Sequence, residues 1–337
     1  LAGAPPVAGR AKSRWRRAQA LLTAAGLLLF VYLLSRVGLA SLLENLARFG
    51  AWFLVIVGLA FLWIFAQSWA WHLVQTAYFR PVPLGRLFRA RIVSDSLNTL
   101  IPSANVGGDA ARAFLIKRHV PLTEGIPGVL VDKTIESLAS TAFLMTGFLL
   151  GLLFLDLPGW MTWAAAVGLA VTAGGIGLLV TVQRKGLVRT LEAVAKVVPR
   201  ARRAAERWAG PLKDLDANLR LVYGRFNLKT LAAAGLHYAG RAIGVVEVLV
   251  ILRVLDAHAS LLQALFMSTG VTIVNTAFFF VPGHFGVMES AHVLVLQSLH
   301  FTAALGLSMG VIRRLRKLAT TGIGLLLFVL RKSSPKA

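Results

Sequence analysis

Apolar residues run almost unbroken through six stretches of the chain: Ala18 to Leu34, Ala51 to Val74, Ile126 to Leu155, Trp160 to Val182, Leu228 to Leu252 and Leu261 to Phe280. A hydrocarbon core of ~30 Å needs about 20 residues of helix. These stretches therefore predict membrane helices, and the first is expected to be a retained helix, not a cleaved signal, because no small-residue cleavage site follows it. A further stretch, Phe301 to Leu330, is interrupted near its middle by Arg313, Arg314, Arg316 and Lys317. As one helix it would reach ~45 Å, enough to cross with tilt, whereas neither half alone would span. Unless it is two interfacial pieces, its arginines are expected inside, facing protein or water.

Between the spans, Gly186 to Phe226 follows another rhythm. Leu187, Leu191, Val194 and Val198 recur at helical spacing, Pro199 interrupts, and Trp208, Leu212, Leu215, Leu219, Val222 and Phe226 resume with basic residues between. This predicts amphipathic helices on the membrane surface, anchored to anionic lipid or docking a partner.

Two apolar segments are broken in their middles. The first reads Asn98-Thr-Leu-Ile-Pro102-Ser-Ala-Asn105-Val-Gly107-Gly108-Asp109, and the second reads Asn275-Thr-Ala-Phe-Phe-Phe-Val-Pro282-Gly283-His284-Phe285-Gly286-Val-Met-Glu289. Proline and paired glycines end a helix, so each segment predicts a helix-loop-helix hairpin. Asp109 and Glu289 each follow the proline by seven residues, and Arg112 and His292 stand three further on. The offset of 180 residues between these motifs also carries Lys133 onto Arg313 and Glu136 onto Arg316.

Charge gives the orientation. The chain holds 36 basic and 14 acidic residues, a formal net charge of +22, yet only 15% of residues are charged and 57% are hydrophobic. A soluble basic protein would suggest nucleic acid; here the basic residues cluster in alternate connections, so no nucleic-acid partner is expected. Arg10, Lys12, Arg14, Arg16 and Arg17 precede the first span, Arg80, Arg86, Arg89 and Arg91 lie before the first broken segment, Arg112, Lys117 and Arg118 after it, and twelve more fall between Arg184 and Lys229. The positive-inside rule makes these cytoplasmic, together with the amino terminus, and sends the first hairpin into the membrane and back. Three crossings then separate the hairpins, so the second enters from outside. The expected fold is an all-α polytopic membrane bundle with two re-entrant hairpins in an inverted repeat, the architecture of secondary transporters. Residues 1–17 form a basic cytoplasmic terminus and 18–332 a single transmembrane domain: repeat one about 18–182, surface helices about 186–226 and repeat two about 228–332.

Candidate chemistry lies where charge meets the membrane, because an ionisable group at helix centre costs at least ~2.5 kcal/mol unless paired or wet. Asp132, Lys133 and Glu136 share helical faces at three- and four-residue spacing. They either pair with Arg313 and Arg316 across the repeat interface, or leave those arginines free for an anionic headgroup. Asp109 and Glu289 stand where half-helices restart and are either N-caps or neighbours of a ligand drawn to the helix amino termini. Gly107, Gly108, Gly283 and Gly286 serve tight turns or close backbone approach. Asp95, Asn98, Asn105, Arg112, Asn275, and Arg241 with Glu247 are expected to line the same cavity or satisfy its backbone. His284 and His292 flank Glu289 at spacings that do not make a metal site, there is no cysteine, and no nucleotide or hydrolase motif occurs. Neither a metal nor a cofactor is expected.

The runs Leu100-Ile-Pro102-Ser-Ala-Asn105-Val-Gly107-Gly108-Asp109-Ala-Ala-Arg112, Val131-Asp132-Lys133-Thr-Ile-Glu136, Val281-Pro282-Gly283-His284-Phe-Gly286-Val-Met-Glu289 and Arg313-Arg-Leu-Arg316 together resemble the lysylphosphatidylglycerol synthase transmembrane, or flippase-like, family. The resemblance extends from about Leu21 to Leu330 and is nearest to the hopanoid-associated branch. It implies a bacterial inner-membrane protein that moves a lipid, phospholipid or hopanoid, between leaflets, with lipid-biosynthesis enzymes as potential partners. The chain ends at Ala337 without the soluble synthase domain of multi-domain members, so aminoacylation is not expected. Family members commonly carry a glycine-rich second tip, whereas here His284 and Phe285 separate Gly283 from Gly286. The lipid-binding set expected is Pro102, Asn105, Gly107, Gly108, Asp109, Arg112, Asp132, Lys133, Glu136, Pro282, Gly283, His284, Gly286, Glu289, Arg313 and Arg316. Alternatives are a lipid-modifying enzyme acting through Asp109, Glu289 or His284, and a scaffold for lipid synthesis.

Overall fold

The computed structural model describes residues 39–100, 106–197, 227–277 and 286–333, with Tyr32, Ser35, Lys213, Asp216 and Ala217. The first expected span, most of the surface segment, and Pro102, Asn105, Pro282, Gly283 and His284 lie outside the described residues. Among the described residues there are eleven helices and no strand. They are α1 (Leu39–Phe49), α2 (Trp52–Tyr78), α3 (Leu84–Leu100), α4 (Val106–Ile116), α5 (Leu122–Phe154), α6 (Gly159–Lys185), α7 (Leu187–Val197), α8 (Leu228–Val254), α9 (Leu261–Ala277), α10 (Val287–Ser298) and α11 (Ala303–Ser333). Three of them, α2, α5 and α8, are long and apolar enough to cross a membrane. The protein is thus an all-α integral membrane bundle. Large apolar side chains such as Leu54, Leu153, Trp163, Val171 and Val329 cover its outside, as expected where the solvent is lipid.

Proline punctuates the ends. Helix α2 stops as Phe79 turns extended, and the Pro83 carbonyl accepts from the amides of Arg86 and Leu87 to start α3. Pro121 and Pro158 cap α5 and α6 without a side-chain bond, whereas Asn227 caps α8 by accepting from the Thr230 amide. Helix α11 is one continuous helix of 31 residues through its arginines. The alternative of two interfacial pieces therefore falls.

The helices form two matching series. Helices α2, α3, α4 and α5 hold 27, 17, 11 and 33 residues, and α8, α9, α10 and α11 hold 27, 17, 12 and 31. Packing between the series is reciprocal: α3 packs on α11 as α9 packs on α5, and α2 meets α11 as α8 meets α5. Such exchange of equivalent contacts is the mark of an approximate two-fold axis. On that axis α2 and α8 run antiparallel. Tyr78, at the end of α2, bonds Thr230 at the start of α8, Gln67 meets His237, and Trp63 lies against Gly240 further back along α2. The two series therefore run in opposite senses.

Close approach between them depends on glycine. A Cβ on Gly324 of α11 would strike the Ser96 hydroxyl and come within 2.8 Å of the Ile92 carbonyl of α3. In the reciprocal contact, Gly147 and Gly151 of α5 admit Thr269 and Phe266 of α9. The main core fills the space around these contacts with Ile56, Phe143, Phe148, Ile251, Phe266, Leu296 and Met309, and a second core gathers Trp71, Val82, Leu87, Ile116 and Val129.

Candidate functional site

Helices α3 and α4 fold back on each other. The Ser94 hydroxyl donates to the Gly108 carbonyl, the Gly108 amide donates to Asn98 Oδ1, and a Cβ at Gly108 would overlap both partners. Gly107 sits beside it in the first turn of α4. Helix α10 restarts after Gly286, whose φ of 73° lies in the left-handed region that favours glycine. Asp109 and Glu289 are first-turn residues and not the caps; Gly286 holds the N-cap position of α10. Both acids point instead at the long helix that follows.

In the first series the acids of α5 gather bases from the hairpin. Asp132 is completely buried, and its Oδ2 accepts from Arg91 Nη1 at 3.1 Å and Arg112 Nη1 at 2.8 Å. Its Oδ1 meets His237 Nε2 at 3.0 Å, and His237 Nδ1 meets Gln67 Oε1 at 2.5 Å. Arg91 also donates to Gln67 and Glu136, and Arg112 to Asp109. Lys133 lies 3.5 Å from both Asp109 and Glu136.

In the second series the bases of α11 gather acids from its neighbours. The buried Glu247 carboxylate of α8 accepts from Arg313 Nε at 3.1 Å and Arg316 Nη1 at 2.6 Å. Glu289, also fully buried, takes Arg314 through two bonds of 2.5 and 2.9 Å. His292 Nδ1 donates to the Met288 carbonyl, so its Nε2 accepts from Arg313 Nη1 at 3.4 Å.

These pairs correct two expectations. The α5 acids do not pair with Arg313 and Arg316 across the interface; the arginine and lysine pairs of each series lie within it, and His237 of the second series crosses to Asp132 and Gln67 of the first. The register also differs by one residue on the long helices. Asp109–Lys133 corresponds to Glu289–Arg314, and Arg112–Asp132 to His292–Arg313. Position 133 thus maps to 314 and 132 to 313, an offset of 181 in place of 180, the extra residue falling between the hairpin and the long helix.

A cavity of about 410 Å³ opens between the two series. Among the described residues six cations line it, Arg91, Lys133, Arg241, Arg313, Arg316 and Lys317, against four carboxylates, Asp95, Asp109, Glu136 and Glu247. Arg241 donates to the Ser140 hydroxyl and lies 5.9 Å over the Trp63 ring. Among the described residues, neither Arg241 nor Lys317 has a carboxylate within ion-pair distance. Of the expected set, Asp109, Lys133, Glu136, Arg313 and Arg316 line the cavity; Arg112 and Asp132 lie behind its wall, while Glu289 holds Arg314. Asp95, Asn98, Arg241 and Glu247 line it as expected from their polarity.

Arg91, Gln67, His237 and Lys317 were absent from the expected set. Arg91 counted among connection arginines, yet it lies within α3 and is 4% exposed. Gln67 and His237 are lone polar residues in apolar runs, a signal that their burial in a membrane helix could have supplied.

No curated protein and no solved structure matches the chain. The sequence pattern of the lysylphosphatidylglycerol synthase TM region matches residues 18–324. That match takes in the charged cavity and both series as far as residue 324 of α11, and the chain belongs to the lysylphosphatidylglycerol synthase transmembrane-region family.

Proposed function

We propose that the protein is a translocase that carries an anionic lipid headgroup between leaflets of a bacterial inner membrane, its amino terminus cytoplasmic. The observation behind this reading is the cavity's surplus of cations, six against four carboxylates. A surplus at the meeting of two membrane-embedded halves needs a counter-charge, because unpaired charge in low dielectric is costly. A phosphate supplies it, with acyl chains left outside among the apolar side chains. The charge favours a phosphate-bearing lipid over an uncharged hopanoid.

Helices α4 and α10 support re-entry. Eleven or twelve residues give ~16–18 Å of helix, well short of a ~30 Å hydrocarbon core. On this reading each hairpin enters and returns on its own side, and α2 with α8 rock on their antiparallel seam to expose the cavity to alternate faces. Transport leaves the lipid chemically unchanged, which separates this reading from a lipid-modifying enzyme.

The test is leaflet exchange in proteoliposomes of neutral lipid doped with labelled phosphatidylglycerol. The full chain is expected to speed exchange with no change in lipid mass, and Lys317→Glu is expected to slow it roughly tenfold by removing the surplus. No acceleration for any anionic phospholipid, or a new lipid mass, would sink the reading.

A further inference from the structure

Beside its surplus of cations, the cavity wall carries buried donors without acceptors. Trp63 Nε1, Gln67 Nε2, Arg91 Nε and Arg316 Nε belong to lining residues, are buried, and donate to nothing among the described residues; no described lining side chain has a buried acceptor in the same position. Gln67 is 2% exposed. Buried donors without acceptors are rare in folded proteins, so four around one cavity describe what its occupant must carry.

The charge surplus has a magnitude and a place. The lining alone gives six cations minus four carboxylates, or two. Adding the balanced groups behind the wall, Arg112 with Asp132 and Arg314 with Glu289, leaves it at two. The surplus stands on separate walls. On α11, Arg313 and Arg316 share the single Glu247 carboxylate of α8, and Lys317 follows Arg316 directly. Arg241 lies apart on α8, fixed by Ser140 and Trp63, and the Trp63 and Gln67 nitrogens both come within 3.4 Å of the Cβ position that Gly240 leaves empty beside it.

We infer that the cavity takes a headgroup with two phosphate groups, one held by Arg313, Arg316 and Lys317, and the other by Arg241 with the N–H groups of Trp63 and Gln67. This rests on the translocase reading and narrows its substrate. A single phosphodiester would neutralise one of the two surplus charges and leave the Arg241 wall without an acceptor.

Binding to the full chain in nanodiscs of neutral lipid tests it with four probes: dioctanoyl phosphatidylglycerol, farnesyl monophosphate, farnesyl diphosphate and a short-chain cardiolipin. One two-phosphate probe is expected to bind at least about tenfold tighter than both one-phosphate probes, and its identity separates adjacent from spaced phosphates. Arg241→Gln should bring that preference within about twofold, its loss falling more heavily on the two-phosphate probe than on the one-phosphate probes. Trp63→Phe keeps an aromatic ring, though a smaller one, under Arg241 and removes the N–H, and should reduce the preference severalfold. Equal binding of one- and two-phosphate probes, or an equal loss for both in the two variants, would overturn the inference while leaving the translocase reading in place. Binding of no probe would overturn both.

Discussion

The two halves share a backbone plan and reverse its charges. In the first, the long helix α5 carries the acids Asp132 and Glu136, and α3 and α4 supply Arg91 and Arg112. In the second, the long helix α11 carries the arginines, and α8 and α10 supply Glu247 and Glu289. The first half sets Arg91, Arg112 and Lys133 against Asp95, Asp109, Asp132 and Glu136, a sum of minus one. The second sets Arg241, Arg313, Arg314, Arg316 and Lys317 against Glu247 and Glu289, a sum of plus three. Helix length, hairpin closure and glycine contact thus determine shape in both halves, while charge is free to be reassigned within that shape. The first half carries a net negative network, and the second carries the cavity's surplus of cations.

The largest expected effect lies in the first half. Asp132→Asn strips charge from a carboxylate that serves Arg91, Arg112 and His237, and should lower unfolding free energy by about 3–5 kcal/mol, read as a fall in melting temperature in detergent. Next comes the shape that the halves share. Gly324→Ala drives a methyl into the Ile92 backbone carbonyl and should cost about 2–3 kcal/mol. Gly147→Ala meets the Thr269 side chain, which can turn aside, and should cost about half as much. A smaller loss, about 1 kcal/mol, is expected for Glu247→Gln, because its arginines face an open cavity. The same change should tighten phosphatidylglycerol binding several-fold, a gain that neutralising Asp132, which lies behind the cavity wall, should not give. Equal destabilisation by Asp132→Asn and Glu247→Gln would break the distinction between the halves. The exposed Arg48 bonds to Glu44 and Asp256 mark the lower limit: Arg48→Ala should change stability by less than about 0.5 kcal/mol.

The long apolar runs made most of the bundle legible, since a span must satisfy its backbone internally and so declares itself by length. The breaks at Pro102 and Pro282 made the division of α3 from α4 and of α9 from α10 legible, while both tips lie outside the described residues. Pairing was harder to read. Arg91 shares its neighbourhood in sequence with Arg80, Arg86 and Arg89, and composition cannot separate a residue that turns inward from those that mark topology. Arg313 and Arg316 look complementary to the α5 acids until Glu247 supplies a nearer carboxylate. The first-turn acids resemble caps because a cap and a partner for the next helix occupy nearly the same sequence position. The one-residue change in register was invisible because breakers on the hairpin and charges on the long helix follow different offsets.

The seam between α2 and α8 also bears on how the protein is made. Tyr78 and Thr230 are 152 positions apart, Gln67 and His237 are 170 apart, and Asp132 waits 105 positions for His237. During synthesis Arg91, Arg112 and Asp132 can associate as soon as α5 emerges, but the third donor to Asp132 arrives only with α8. The nascent first half must therefore persist in the bilayer with one side of its buried acid uncovered. Insertion of α8 closes that side and starts the cavity in the same step, so assembly of the site is tied to the arrival of a single late helix.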